Sequence, residues 1–599
     1  MPEHQSIRPR LVLLSVLLLF AGVAARLFYW QVVQSYSLKK VVESQAEKEN
    51  TVEGRRGKIL TADGKLLVGN TASFHLMVDK SLVADANQTI AETLAPLLVQ
   101  RDLEDLEDSE ATPAAEVEKQ LLAANEQYLT ERLGLENTWV RLASRIDRPL
   151  KEQLDRLDLP GLYFEEYQTR MYPEASMAAH LTGFVGKDEQ GVDTGYFGVE
   201  GALHKELEKR VRRNRFLTDA LGNLLGGEGA INTQSLDGRD IVLTIRRDIQ
   251  YLLEEELASG IDRYGALSGE VVVMDTRTGD ILGLAAWPKY DQAEYWQYEA
   301  ELYKNPSLSN LYEPGSTFKV LTVSAGIDAE AVTPDTECPN CEGPRQISKY
   351  TIRTWNDEYQ PNITVKDAIA QSNNVAMIFI AESLGADTFV DYLKKFGIGE
   401  EIHLDLQDDT NTPFPEKWGA IELATASFGQ GISANSLQMV RAVGTIANQG
   451  VMMRPKIIDK VIDHQTQKEI PILPQEERRV VSAKTAQTVT ELMVNAARHG
   501  EAQWIFSDTH TIAGKTGTSQ IPIAGGYKPD ATIASFIGFA PADNPRFIML
   551  VKLIEPSSSP WAAETAAPLW YRVAEKLFLL LNIPPDIGQD VSWLNQPAP

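Results

Sequence analysis

The 599-residue chain is poor in sulfur and imidazole, with two cysteines and eight histidines. Two thiols cannot build a four-thiolate zinc site. The histidines are scattered, and no two have metal-ligand spacing on one helix, so no metal is expected. Positive charge is also scarce. Fifty-seven Lys and Arg stand against 83 Asp and Glu, a formal net charge of −26. A surface that acidic repels phosphate backbones, so nucleic acid is excluded as an expected partner. No internal repeat and no long low-complexity tract is present. The cysteines, Cys338 and Cys341, have two residues between them. They allow a small disulfide loop, a redox pair or two free thiols. A local structural staple is favoured if the domain lies outside the cytoplasm, because no thioredoxin-like context surrounds them.

Apolar residues make up 43% of the chain, enough for sizeable cores, and the length suggests about three or four units. Arg8 and Arg10 precede an apolar run from Leu11 to Ala25, which Arg26 interrupts and Leu27 to Val33 continues mostly apolar, 23 residues in all. That length spans a bilayer. Arg26 can snorkel, and Phe28, Tyr29 and Trp30 suit an interface. The basic flank places residues 1–10 in the cytoplasm, 11–33 in the membrane and the rest outside. The competing reading is a cleaved signal peptide ending near Val23-Ala24-Ala25.

Beyond the anchor, Ser37 to Asn50 reads as a polar helix. Ile59-Leu60 and Leu66-Leu67-Val68 about Asp63-Gly64 predict a hairpin. Residues 81–157 read as a helical head with acidic, solvated faces. A glycine-rich region runs from Gly183 to Gly201, and Gly222 to Gly229 looks like a boundary. The spacing of Ile249, Leu252, Leu253 and Leu257 predicts a helix over 248–264. Apolar strands are expected at 269–275 and 280–286, then at 511–520, 532–540 and 546–554, with a closing helix at 564–581. Two strands, a helix-rich insertion, three strands and a helix make an α+β pattern: an antiparallel sheet flanked by helices.

Three short motifs carry chemistry. Ser316-Thr317-Phe318-Lys319 opens an apolar segment, Ser316 to Ile327, that reads as a buried helix. Ser316 stands at its start, where free N–H groups favour developing negative charge. Lys319 is one turn on, where desolvation favours its neutral, basic form. A serine hydroxyl needs such a base to become a nucleophile. Ser-x-x-Lys alone is weak: Ser37-Leu38-Lys39-Lys40 also matches, on a polar segment beside the membrane. The second motif, Ser372-Asn373-Asn374, sits on a turn before the apolar run Val375 to Ala381. Alone it is an ordinary helix cap. Ser433-Ala434-Asn435 has the same pattern within a glycine-rich loop and looks structural. The third, Lys515-Thr516-Gly517-Thr518, lies on a strand and is the only Lys-[Ser/Thr]-Gly in the chain. Its small residues let a peptide backbone lie against the strand edge.

In this order, 56 and then 143 residues apart, the three motifs form an established signature of penicillin-binding proteins and class A β-lactamases. The sequence resembles the class B penicillin-binding proteins, the monofunctional D,D-transpeptidases of bacterial peptidoglycan. Arg56-Gly57-x-Ile59 with Asp63-Gly64, Arg170-x-Tyr172-Pro173 with Ala179-His180-x-x-Gly183, and Gly198-x-Glu200 are similar to that family's pedestal motifs. Tyr312-Glu313-Pro314-Gly315 leads into its active-serine signature. Phe428-Gly429-Gln430-Gly431, with Leu437-Gln438 and Ala447-Asn448-x-Gly450, is similar to the long loop before its last sheet strands. Ser535-Phe536-x-Gly538-Phe539-Ala540-Pro541 and Pro545-Arg546 resemble the division-type branch. Thr61-Ala62 and Asn435-Ser436 depart from the family's pattern, and residues 81–157 match no motif of it.

The resemblance implies a transpeptidase fold at 231–585, with a five-stranded antiparallel sheet, on an elongated pedestal at 34–230, and a C-terminal tail at 586–599. It implies a stem-peptide substrate ending in D-Ala-D-Ala and acylation of Ser316 with Lys319 as base. Ser372 relays a proton and Asn374 orients the donor. Lys515, Thr516, Gly517 and Thr518 hold its carboxylate end, and the N–H groups of Ser316 and Thr518 form the oxyanion hole. No cofactor is implied. Expected partners are lipid-linked peptidoglycan strands, β-lactams, and a membrane glycosyltransferase of the shape, elongation, division and sporulation family. The alternatives are an elongation-type transpeptidase, a D,D-carboxypeptidase or β-lactamase, and a non-catalytic sensor or scaffold. For the sensor, the ten residues before the anchor leave no room for a signalling module.

Overall fold

The computed structural model describes residues 7–38, 47–83, 87–107, 115–217, 233–404, 406, 409–414 and 417–587. Two compact units emerge. The smaller comprises Met1–Arg55, Glu208–Gly238 and His464–Thr466. It contains a helix over Ile7–Phe28 that continues as a π-helical turn, Tyr29–Val33. Within it, Arg10–Val33 is long and apolar enough to cross a membrane. The same unit holds an antiparallel pair, Glu47–Glu53 with Val211–Leu217. Residues 47–50 are therefore strand, not the end of the polar helix read from 37–50. Their alternate pairing with 214–217 outweighs a polarity that suits either state. Ser37 is exposed and bonded to Gln34. Lys40, like the Gly222–Gly229 loop, lies outside the described residues.

The larger unit is built on two sheets. The first centres on Leu66–Asp79, which pairs with Trp139–Ile146 on one side and with Leu162–Met171 on the other. The expected hairpin about Asp63-Gly64 forms, with Ile59 opposite Val68. The head at 81–157 is helical at Asn87–Glu107, Ala115–Gly134 and Arg148–Asp155, but Trp139–Ile146 between them is a strand. Its Val140, Leu142 and Ile146 are buried with Leu76, Val78, Leu94 and Leu129. That alternation was overshadowed by the charge of its surroundings. The sheet does not stop at the pedestal. Ile59-Leu60 runs parallel to Ile241-Val242, and Asp240–Leu243 pairs in turn with Ile458–Asp463.

One buried carboxylate joins the three pedestal motifs. Glu200 accepts from Arg56 Nη2 at 2.5 Å and Nε at 2.8 Å, and from Arg170 Nε at 2.6 Å. Asn70 ties the two arginines together, accepting from Arg170 and donating to the Arg56 carbonyl.

The second sheet has five antiparallel strands: β1 Ser268–Met274, β2 Ile281–Trp287, β3 Ala513–Ile523, β4 Gly526–Ala540 and β5 Phe547–Ile554, in spatial order β2-β1-β5-β4-β3. The strands read as near-continuous apolar runs because both faces are covered. Val271, Val273, Met549 and Val551 pack against helices Arg247–Tyr264 and Ala566–Leu580. Val272, Met274, Ile548 and Leu550 pack against the insertion's helices. Each such side chain contributes roughly 1.5–3 kcal/mol. The innermost helix, Ser436–Ala447, is buried all round. It places Leu437-Gln438 in a helix rather than in the loop expected there. Asn435 caps it and Gln438 completes a capping box, so Ser433-Ala434-Asn435 is structural, as read. Cys338 and Cys341 form a buried disulfide.

One polar row crosses this apolar sheet. Gly517 lies opposite Ser535, Ser535 opposite Lys552, and Lys552 opposite Glu270. Lys552 and Glu270 form a fully buried ion pair at 2.6 Å. Ser307 and Ser436 donate to the carboxylate, and Lys552 sits 4.4 Å from the Tyr312 ring centroid.

Candidate active site

Strand β3 is one of the sheet's two edge strands, and the turn bearing Ser316 packs against it. Gly315–Phe318 is a single 3₁₀ turn that passes into helix Lys319–Asp328. Glycine is required on both sides of this junction. A Cβ on Gly517 would sit 2.7 Å from Thr317 Cγ2 and 3.0 Å from the Pro314 carbonyl oxygen. Gly429 has φ +79°, and its Cβ would fall 2.2 Å from the Gly315 carbonyl oxygen. The turn is thus clamped between β3 and the Phe428–Gly431 loop, with the Gly315 N–H bonded to the Gly429 carbonyl. Glu313, immediately upstream, accepts from the Gly431 N–H and from the Tyr527 hydroxyl of β4.

Lys319 is fully buried and extends to the second motif. Its Nζ lies 2.5 Å from the Ser372 carbonyl oxygen, 2.7 Å from Asn374 Oδ1 and 3.2 Å from Ser372 Oγ. Ser372 holds a left-handed conformation, φ 59°, uncommon for a residue with a side chain. Asn373 caps helix Asn374–Leu384, as its sequence suggested. The Asn374 amide is fixed at both ends, since its Nδ2 donates to the Arg353 carbonyl. Burial pushes the Lys319 ammonium well below the usual lysine range, and the charge of Lys515 adds to the effect. Burial also lowers Lys515, against the opposing pull of Glu501. Among the described residues no hydrogen bond engages Ser316 Oγ.

The eight residues singled out in the three motifs come together: the Ser316 turn packs on β3, and the charge of Lys515 reaches Lys319. Lys319, Ser372 and Asn374 touch one another, and Lys515 bonds the Thr516 hydroxyl at 3.0 Å. Thr516 and Gly517 lie on β3, with Gly517 against the Ser316 turn. Thr518 Oγ1 accepts the Ala562 N–H, and its carbonyl lies beside Gly315.

Three further residues that touch these elements carry no motif. Glu501 sits just past helix Ala483–His499 and reaches Lys515 and Thr516. Trp355 donates to the carbonyl of Gln371, which precedes Ser372. Its ring lies 5.4 Å from that of Trp561, which precedes Ala562. Both tryptophans are about half exposed. Exposed loop aromatics were the available signal for these two. A lone glutamate 14 residues before Lys515 offered none.

Comparison with known proteins gives the families that the chain matches. Residues 269–575 match the penicillin-binding protein transpeptidase domain, and residues 51–243 the penicillin-binding protein dimerisation domain. The chain is 29% identical to stage V sporulation protein D of Bacillus subtilis over 574 residues, covering 95% of this chain and 85% of that protein. It is 28% identical to the probable peptidoglycan D,D-transpeptidase PenA of Neisseria meningitidis, covering 98% and 94%. Penicillin-binding protein 2X of Streptococcus thermophilus has a similar fold, with a TM-score of 0.69 at 21% identity over 90% of this chain and 81% of that one.

Proposed function

The chain belongs to the penicillin-binding protein transpeptidases, and from that premise we propose that it is a class B serine D,D-transpeptidase that cross-links peptidoglycan stem peptides and is acylated by β-lactams. The observation that carries the reading is Lys319. It is buried, its ammonium form is disfavoured, and it stands one residue beyond the turn that holds Ser316.

Ser316 Oγ attacks the penultimate D-Ala carbonyl carbon while Lys319 accepts the hydroxyl proton. The resulting oxyanion is met by the N–H groups of Ser316 and Thr518, two donors worth roughly 3 kcal/mol each. The peptide C–N bond breaks as the departing D-Ala amine takes a proton through Ser372. Of the three groups around Lys319 Nζ, only the Ser372 hydroxyl can both accept and donate. Asn374 holds Lys319 and faces the donor peptide, which lies along the free edge of β3. Lys515, Thr516 and Thr518 bind the terminal carboxylate. An amine on a neighbouring stem peptide then attacks the acyl-enzyme and restores Ser316.

Residues 11–33 anchor the protein in the bacterial cytoplasmic membrane, with 1–10 inside and the catalytic part outside. The pedestal takes up 34–230, with its head near 81–157, followed by the transpeptidase domain at 231–585 and a tail at 586–599. The Ser535–Arg546 stretch supports a role in septal rather than lateral wall synthesis. A septal role in turn implies pairing with a multi-spanning glycosyltransferase of the shape, elongation, division and sporulation family through anchor and pedestal. Intact-mass spectrometry after exposure to benzylpenicillin tests the core of this reading. One stable adduct is expected on Ser316, absent from Ser316→Ala. Well-folded protein without an adduct would instead leave a scaffold, and rapid release of the adduct a hydrolase.

A further inference from the structure

The groups assigned above to the substrate's carboxylate already hold one. The Thr516 hydroxyl donates its single proton to Glu501 Oε2. Lys515 Nζ has three donors and three internal acceptors: Thr516 Oγ1 at 3.0 Å, the Thr516 carbonyl at 3.2 Å and Glu501 Oε2 at 3.5 Å. Lys515 is buried and the Glu501 side chain is 21% exposed, so the carboxylate stands at the mouth of the subsite. Thr518 differs. Its hydroxyl accepts from the Ala562 N–H, which leaves its own proton to donate. In the free protein, then, one of the three carboxylate-binding groups is available and two are engaged by the chain itself.

We propose that Glu501 is a built-in occupant of the carboxylate subsite and a specificity-determining residue: it stands where the terminal carboxylate of a stem peptide or penicillin binds, and must withdraw before Lys515 and Thr516 can receive that ligand. The proposal rests on the transpeptidase reading of Ser316 and the Lys515 strand. Two carboxylates that share one lysine and one hydroxyl repel each other in a half-buried site. Glu501 therefore selects against anionic ligand ends relative to neutral ones. It does not touch the reacting atoms. Among the described residues, Glu501 is also the one carboxylate whose field opposes the disfavouring of charge on both Lys319 and Lys515. Its neutralisation alters the two lysines for every ligand alike, so ligand selectivity is the diagnostic quantity rather than rate.

The test compares second-order acylation by benzylpenicillin and by its methyl ester, followed by intact mass on the detergent-solubilised full chain. Wild type, Glu501→Gln and Glu501→Ala are each measured. The rate ratio of acid to ester is expected to rise about tenfold or more in both variants, the scale of a like-charge contact removed from a partly buried site. A ratio within twofold of wild type in variants that still form the Ser316 adduct overturns the proposal and leaves the transpeptidase reading standing. A loss of rate equal for acid and ester also overturns it, since Glu501 then only supports Lys515. Wild type without a Ser316 adduct removes the transpeptidase reading and this proposal together.

Discussion

Replacing Glu200 by alanine tests what holds the pedestal motifs together. The carboxylate is fully buried, and its arginine partners keep 10% and 5% of their side chains exposed. Removing it leaves two guanidinium groups with no counter-charge between them, and Arg170 Nη2 already lacks a hydrogen-bond partner. Breaking a buried pair from one side costs about 3–5 kcal/mol, because a desolvated charge stays behind. At about 1 °C per kcal/mol for a unit of this size, the melting temperature falls by roughly 3 °C or more. Glu206→Ala is the internal control. Glu206 also binds an arginine, Arg239, but their side chains are 42% and 31% exposed. Such pairs contribute about 1 kcal/mol or less. Denaturant titration of the three proteins gives the comparison. If Glu200→Ala costs no more than Glu206→Ala, the buried carboxylate is not what fastens the three motifs, and the desolvation argument fails.

Lys319→Met is expected to slow acylation of Ser316 by about 10²–10⁴-fold. In the unaltered protein the acylation rate should climb through a value well below the ordinary lysine range and then level off, because the proposed role of Lys319 requires its unprotonated form; a climb only near pH 10 would contradict its burial. His180 is held down to about 4 by burial. Between 6.5 and 4 the unfolded chain binds the extra proton, so this contribution to stability is complete above 6.5 and is lost as the pH falls, by up to about 3 kcal/mol. Denaturation of His180→Gln across that window should give a flatter profile, and an unchanged slope would count against it. Gly517→Ala drives a methyl group into the Ser316 turn and should lower acylation about 10²-fold with little change in melting temperature; an unaffected rate would mean that the turn has room to retreat.

Most of the catalytic half was legible because its signals are local. Apolar runs of strand length, a Ser-x-x-Lys at a helix start and a single Lys-Thr-Gly on a strand each declare themselves within a few residues. Strand order was not legible, because it depends on pairings across hundreds of residues, such as Gly269 with Leu553. Trp139–Ile146 was missed among charged helices, although its inward residues alternate. Leu437-Gln438 looks like loop in the sequence because the glycine-rich segment before it hides the Asn435 cap. Glu270 and Lys552 stood as two ordinary charges in apolar strands until the register set them side by side. Glu501 was the hardest to see, since nothing near it in the chain marks it. Only the return of β3 along the end of helix Ala483–His499 gives it a role.

The strand Asp240–Leu243 is stitched to Ile59-Leu60 on one side and to Ile458–Asp463 on the other. All four of its residues are buried. The two matched families, 51–243 and 269–575, are therefore not modules that can be cut apart or freely exchanged. A catalytic half made alone would open a raw, apolar sheet edge to other chains. A hybrid with a relative's pedestal has to inherit 59–60 and 240–243 from the same parent.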